Sequence, residues 1–110
     1  MLFLVELDHG RSGAPLSPEA ARTFVEQIIF PTIARAEQLV DEQKIVSGGA
    51  LVGRVALRLM VEAGSAGEVD QLITSLPLWP LAETRITPLI SFGERRQHVE
   101  NLLESARARA

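Results

Sequence analysis

The sequence predicts a ferredoxin-like α+β domain, an antiparallel four-stranded sheet with both main helices on one face, followed by a helical tail. Three observations predict it. Periodicity and chain breakers give the element order strand, helix, strand, strand, helix, strand. One run alternates strictly, with Val55, Leu57, Leu59 and Val61 on one side and Arg54, Ala56, Arg58, Met60 and Glu62 on the other. The length, 110 residues with 46% hydrophobic and 23% charged side chains, suits one compact domain.

The elements follow in order. Leu2, Phe3, Leu4, Val5 and Leu7 form an apolar run that stops at Asp8-His9-Gly10, which predicts a first strand covered on both faces. A glycine- and proline-rich loop occupies residues 11–16. Ser17, Pro18 and Glu19 supply a cap, a proline at the first helical position and acid in the first turn. The helix they start keeps Phe24, Ile28, Ile29, Ile33, Ala36, Leu39 and Val40 on one face to about Gln43. Pro31 interrupts it, so a kink or break is expected near Ile29–Phe30. Lys44 to Val52 reads as a strand bulged at Gly48-Gly49. The alternating strand follows from Gly53 and ends at Gly64. Ser65 then caps a helix whose stripe is Val69, Leu72, Ile73 and Leu76, terminated by Pro77. Leu76-Pro77-Leu78-Trp79-Pro80 is a stiff apolar connector. Glu83 to Phe92 reads as the last strand, placed at an edge or a bulge by Pro88. The domain thus spans residues 1–92, and residues 93–110 form the tail. Its helix, Glu94 to about Arg107, has a narrow stripe of Val99, Leu102, Leu103 and Ala106. With nothing left to cover in its own subunit, this helix is expected to pack on the partner.

The uncovered sheet face carries the functional expectation. Arg54, Ala56, Arg58 and Met60 are too apolar to be left bare and too charged for an ordinary core. A second subunit packing face to face resolves this, and two such sheets closing into a barrel leave a partly polar lumen. A homodimer or higher homo-oligomer is therefore expected.

Composition narrows the alternatives. With 11 basic against 14 acidic residues and a net charge of −3, the chain lacks the broad positive field that holds nucleic acid. The absence of cysteine excludes a disulfide framework and thiolate metal sites, and makes a cytoplasmic location the expectation. The apolar start meets Glu6 and Asp8 too early for a signal peptide or membrane anchor. The two histidines have no partner at metal-ligand spacing. Arg11-Ser12-Gly13 is too short for a phosphate cradle.

Met1-Leu2-Phe3-Leu4-Val5 with Asp8, and Leu76-Pro77-Leu78-Trp79-Pro80 with Glu83, Ile86, Thr87, Pro88 and Leu89, resemble the muconolactone delta-isomerase family. Gly53-Arg54 stands at the family's distance before the Leu-Pro-Leu-aromatic-Pro motif. The resemblance implies a dimeric α+β barrel, assembled further in the isomerase itself, and chemistry without a cofactor. That chemistry moves a proton along an unsaturated lactone in aromatic-compound catabolism. It needs a base at the acidic carbon, a donor for the enolate oxygen and a cation for the carboxylate. The chain departs from the family at the end of the first strand, where Glu6 replaces a lysine. It departs also after Gly53-Arg54, where Val55, Leu57 and Arg58 replace tyrosine and asparagine positions, and before it, where Ser47, Gly48 and Gly49 replace tryptophan and arginine. Arg54 alone carries over directly as a polar pocket residue.

The candidate residues each have two readings. Glu6, in line with Leu2 and Leu4, is a catalytic base or a strand-end ion-pair partner. His9 is an acid or base at the barrel mouth, or a surface-loop residue. Arg54 and Arg58 share a strand face roughly 13 Å apart at about 3.3 Å per residue, a span that prevents them from gripping one small carboxylate symmetrically. Each binds a substrate carboxylate or pairs within the interface. Arg85 and Thr87 are lumen neighbours or interface contacts. Trp79 closes a pocket over an apolar ligand or anchors its loop. His98 fits a solvated helix face. These residues describe a muconolactone isomerase-like enzyme acting on a small carboxylate-bearing ligand. A non-catalytic binding or assembly module and a cofactor-free monooxygenase of the same barrel type are the alternatives.

Overall fold

The computed structural model describes residues 1–10 and 16–109. Residues 11–15, which hold the Arg11-Ser12-Gly13 motif and most of the expected loop, lie outside the described residues. Strands β1 (Leu2–His9), β2 (Ile45–Ala50), β3 (Ala56–Glu62) and β4 (Ala82–Leu89) form one sheet in the order β2-β3-β1-β4. Every pair is antiparallel. With helices α1 (Pro18–Phe24), α2 (Phe30–Asp41) and α3 (Ala66–Thr74), this is the ferredoxin-like arrangement.

The core lies between sheet and helices, and the period-two pattern puts it there. Phe3, Val5 and Leu7 of β1, with Leu59 and Val61 of β3, face Leu39, Val69, Leu72, Ile73 and Leu76, all buried. Thr32 is the buried polar residue of α2, and its Oγ1 accepts a hydrogen bond from the Leu78 amide at 3.0 Å. The apolar connector is thereby pinned to α2 at one point.

Proline shapes the long helix without breaking it. Pro31 has no amide hydrogen to donate and would crowd the preceding turn. Val25–Ile29 widens into a π segment, and the Phe30 amide reaches back five residues to the Val25 carbonyl. Pro31 then sits in the first turn of α2. The helix ends in a Schellman motif, in which the Gln43 amide donates to Val40 and the Lys44 amide to Leu39, each at 2.9 Å. Gln43 occupies the left-handed position at φ 62° that glycine usually takes.

One bulge and three boundaries differ from expectation. The bulge in β2 lies between Ile45 and Ser47 rather than at Gly48-Gly49. Gly48 instead meets a packing demand, since a Cβ there would collide with the Arg58 carbonyl. β3 begins at Ala56, which leaves Arg54 and Val55 in the preceding turn. β4 stops at Leu89, and the tail helix α4 begins earlier than expected and spans Phe92–Ala108, with Ser91 accepting from the Glu94 amide. As expected, Pro88 falls on an edge strand. No residue of α4 is buried. The radius of gyration is 18.8 Å, against about 13 Å for a compact chain of this length, because α4 projects from the body.

Candidate functional site

Alternation fixes which β1 side chains leave the core. Leu2, Leu4, Glu6 and Asp8 emerge on the sheet face opposite the helices. The register then sets their neighbours. Glu6 lies opposite Arg58 on β3 and opposite Arg85 on β4, so one carboxylate stands between two arginines. Directly opposed antiparallel residues have Cβ atoms only about 4.5–5.5 Å apart. Leu4 is flanked in the same way by Met60 and Thr87, and Asp8 by Ala56 and Glu83. The face therefore grades from mostly apolar at Leu2, Leu4, Met60 and Leu89, where Glu62 opposite Leu2 pairs with the N-terminal amine, to ionic at Glu6, Asp8, Glu83, Arg58 and Arg85.

Asp8 organises the ionic end. Its Oδ1 accepts from Arg54 Nη2 at 3.0 Å and from Arg58 Nη2 at 3.2 Å. Arg58 also donates Nη1–H to its neighbour's carbonyl at Leu57, at 2.9 Å. The His9 amide donates to the Val55 carbonyl at 3.0 Å, which ties the turn carrying Arg54 to the end of β1. This corrects the expectation that Arg54 and Arg58 share a strand face about 13 Å apart and so cannot grip one small carboxylate symmetrically. Arg54 lies in the turn rather than on the strand, and its long side chain curls back to the same oxygen that Arg58 reaches.

Glu6 and Arg85 remain uncommitted. Neither has an ion-pair partner within 4 Å among the described residues. Glu6 is half-buried and Arg85 exposed. Glu6, Asp8, Glu83, Thr84 and Arg85 line a depression of about 340 Å³, room for a small organic acid.

His9 is not brought to Glu6. Three residues along a strand reverses the face, and the His9 ring stacks on Phe24 of α1 with centroids 5.1 Å apart. His9 Nδ1 lies 2.9 Å from the Leu81 carbonyl, which can only accept, so Nδ1 carries the proton. Trp79 is in the same short 3₁₀ turn, Trp79–Leu81, and is 39% exposed. Of the residues weighed from sequence, Glu6, Arg54, Arg58, Arg85 and Thr87 share the open face or its rim, whereas His9, Trp79 and His98, which lies in α4, do not join them. The residue missed was Asp8, although it has the same parity as Glu6. Among the described residues no three His, Asp or Glu side chains converge on a metal position, and no helix is long and apolar enough to cross a membrane.

Fold and face together define a ferredoxin-like α+β domain with an ionic cluster on its uncovered sheet. The chain belongs to the muconolactone delta-isomerase family, whose model matches residues 1–95. Two solved structures share the fold at low sequence identity. A muconolactone isomerase structure is 20% identical with a TM-score of 0.66, over 83% of this chain and 90% of that one. The 5-chloro-2-hydroxyhydroquinone dehydrochlorinase of Burkholderia phenoliruptrix, solved with 2,5-dihydroxybenzoquinone, is 21% identical with a TM-score of 0.61, over 86% of this chain and 98% of that one. No curated protein sequence matches.

Proposed function

We propose that this protein catalyses a cofactor-free proton shift on a small unsaturated lactone or related carboxylate, with Glu6 as the base. The observation that carries the reading is a half-buried Glu6 carboxylate, without an ion-pair partner among the described residues, set between Arg58 and Arg85 on the open face. In the reaction Glu6 takes the proton from the saturated ring carbon at the far end of the conjugated system. The C–H electron pair enters the dienolate, and the same carboxyl returns the proton at the carbon next to the lactone carbonyl. The double bond moves, and nothing is oxidised or reduced. Arg85, with no ion-pair partner among the described residues, takes the substrate carboxylate in a bidentate contact. Arg58, held by Asp8 and the Leu57 carbonyl, has further N–H groups to offer the developing enolate oxygen, and costs no reorganisation because it is already fixed.

The open face supports a dimer in this reading. Two copies stacking these faces bury Leu2, Leu4, Met60 and Leu89 at the rim and enclose the ionic cluster, which excludes water from Glu6. Family membership and the fold shared with a muconolactone isomerase support the reaction class. Incubation with muconolactone in deuterated buffer, followed by proton NMR, tests it. Isomer formation with deuterium entering the acidic ring position is expected. A folded protein that gives neither overturns the assignment. Arg85→Ala is expected to raise KM more than it lowers kcat, the mark of a group that binds the carboxylate in ground and transition states alike.

A further inference from the structure

Beyond the open face, an apolar groove and the apolar stripe of a charged helix are each left without a partner among the described residues. The groove, about 200 Å³, runs between α2 and the edge strand β2, lined chiefly by Ile33, Ala36, Val40, Ile45, Leu57 and Leu59. Gly48 and Gly49 put no side chains over it, so the half-buried Leu57 of β3 lines its floor above the buried Leu59. The helix is α4, whose Phe92, Val99, Leu102 and Leu103 are all exposed, Phe92 at 96%. Their spacing of three and four residues places them on one stripe. Most of α4 lies past residue 95, where the family match ends, so this helix is an addition to the shared domain.

We infer that α4 of one protomer docks in the α2–β2 groove of a second copy. Charge, reach and topology select this occupant. Arg95 and Arg96 lie within the stripe and Arg107 one turn beyond Leu103, while Glu37 lines the groove and Asp41 follows one turn along α2. None of these five side chains has an ion-pair partner within 4 Å among the described residues. A basic stripe thus meets an acidic rim. Within one chain α4 leaves from β4, at the sheet edge opposite β2, and none of its residues is buried against its own body. In a copy stacked on the open face the groove is within reach. Four strands set the two edges about 14 Å apart, and a 17-residue helix is about 26 Å long. The docking is reciprocal, so each protomer covers the other's groove. This inference rests on the sheet-to-sheet dimer of the proposed function.

The chain contains no cysteine, so single reporters are unambiguous. The Leu103→Cys and Val40→Cys full-length chains, co-expressed and treated with a short bismaleimide, are expected to give a covalent dimer of one chain of each kind. The pair Leu103→Cys with Arg22→Cys, an exposed position on α1, is expected to give several-fold less. Equal yields from the two pairs overturn the docking. So does a dominant product from Leu103→Cys alone, which would mean that the α4 helices pair with each other. Sedimentation equilibrium of the unmodified protein separates the remaining cases. A dimer without the Leu103–Val40 link leaves the barrel standing and overturns the docking, and a monomer overturns both.

Discussion

The two faces of β1 differ by one residue of register and by everything else. Phe3, Val5 and Leu7 point into the core and are at most 2% exposed. Leu2, Leu4, Glu6 and Asp8 point away from it, and the last two meet arginines from β3, from β4 and from the turn before β3. The covered face needs only apolar volume, which many sequences supply. The open face needs particular charges at particular heights. The lesson is that fold and chemistry are written on alternate residues of the same strand, so they should fail separately when each is changed.

The largest effect should come from the covered face. Phe3→Ala is expected to cost about 3–5 kcal/mol by leaving a cavity in the core between sheet and helices, read by urea denaturation, while the activity of the fraction still folded is retained. On the open face, Glu6→Gln is expected to lower turnover by about 10²–10⁴-fold and to shift the urea midpoint little. A large loss of stability in Glu6→Gln would break the separation. Asp8→Asn sharpens it. Losing the shared anchor of Arg54 and Arg58 is expected to lower kcat/KM by about tenfold to a hundredfold through misplaced arginines, with stability falling by no more than about 1 kcal/mol because the ion pairs are solvent-accessible. The smallest effect lies outside both faces. Gln43→Gly should stabilise the fold by about 1 kcal/mol by relieving the left-handed position at the end of α2, with turnover unchanged.

Local chemistry made most of the fold legible. Ser17 and Ser65 accept from the Ala20 and Glu68 amides, as their positions before helical stripes imply. Glu68 Oε2 in turn accepts from the amide of Gly64, the residue before the cap, in a variant of the capping box. Pro31 marked the right place for an irregularity, but the chain widened to a π turn where a break was equally consistent with the sequence. Register was the harder part. The bulge fell at Val46 because the pairing with β3 decided it, and glycines advertise permission for a bulge rather than its location. Parity alone put Glu6 with Leu2 and Leu4, and would have separated it from His9. Asp8 was hidden because Asp8-His9-Gly10 has the composition of a turn, whereas β1 runs on through His9 under pairing with Ala82. Those partners lie more than 70 positions apart in the chain, beyond the reach of any local signal.

The central claim is that the Glu6 carboxylate removes the proton. Its most direct measurement is the rate at which deuterium from solvent enters muconolactone with wild-type protein and with Glu6→Gln, both checked for folding by circular dichroism. The account predicts exchange with the wild type and a loss of at least a hundredfold in the variant, about the least a general base contributes. Exchange at the same rate in Glu6→Gln would contradict it and move the base elsewhere on the open face.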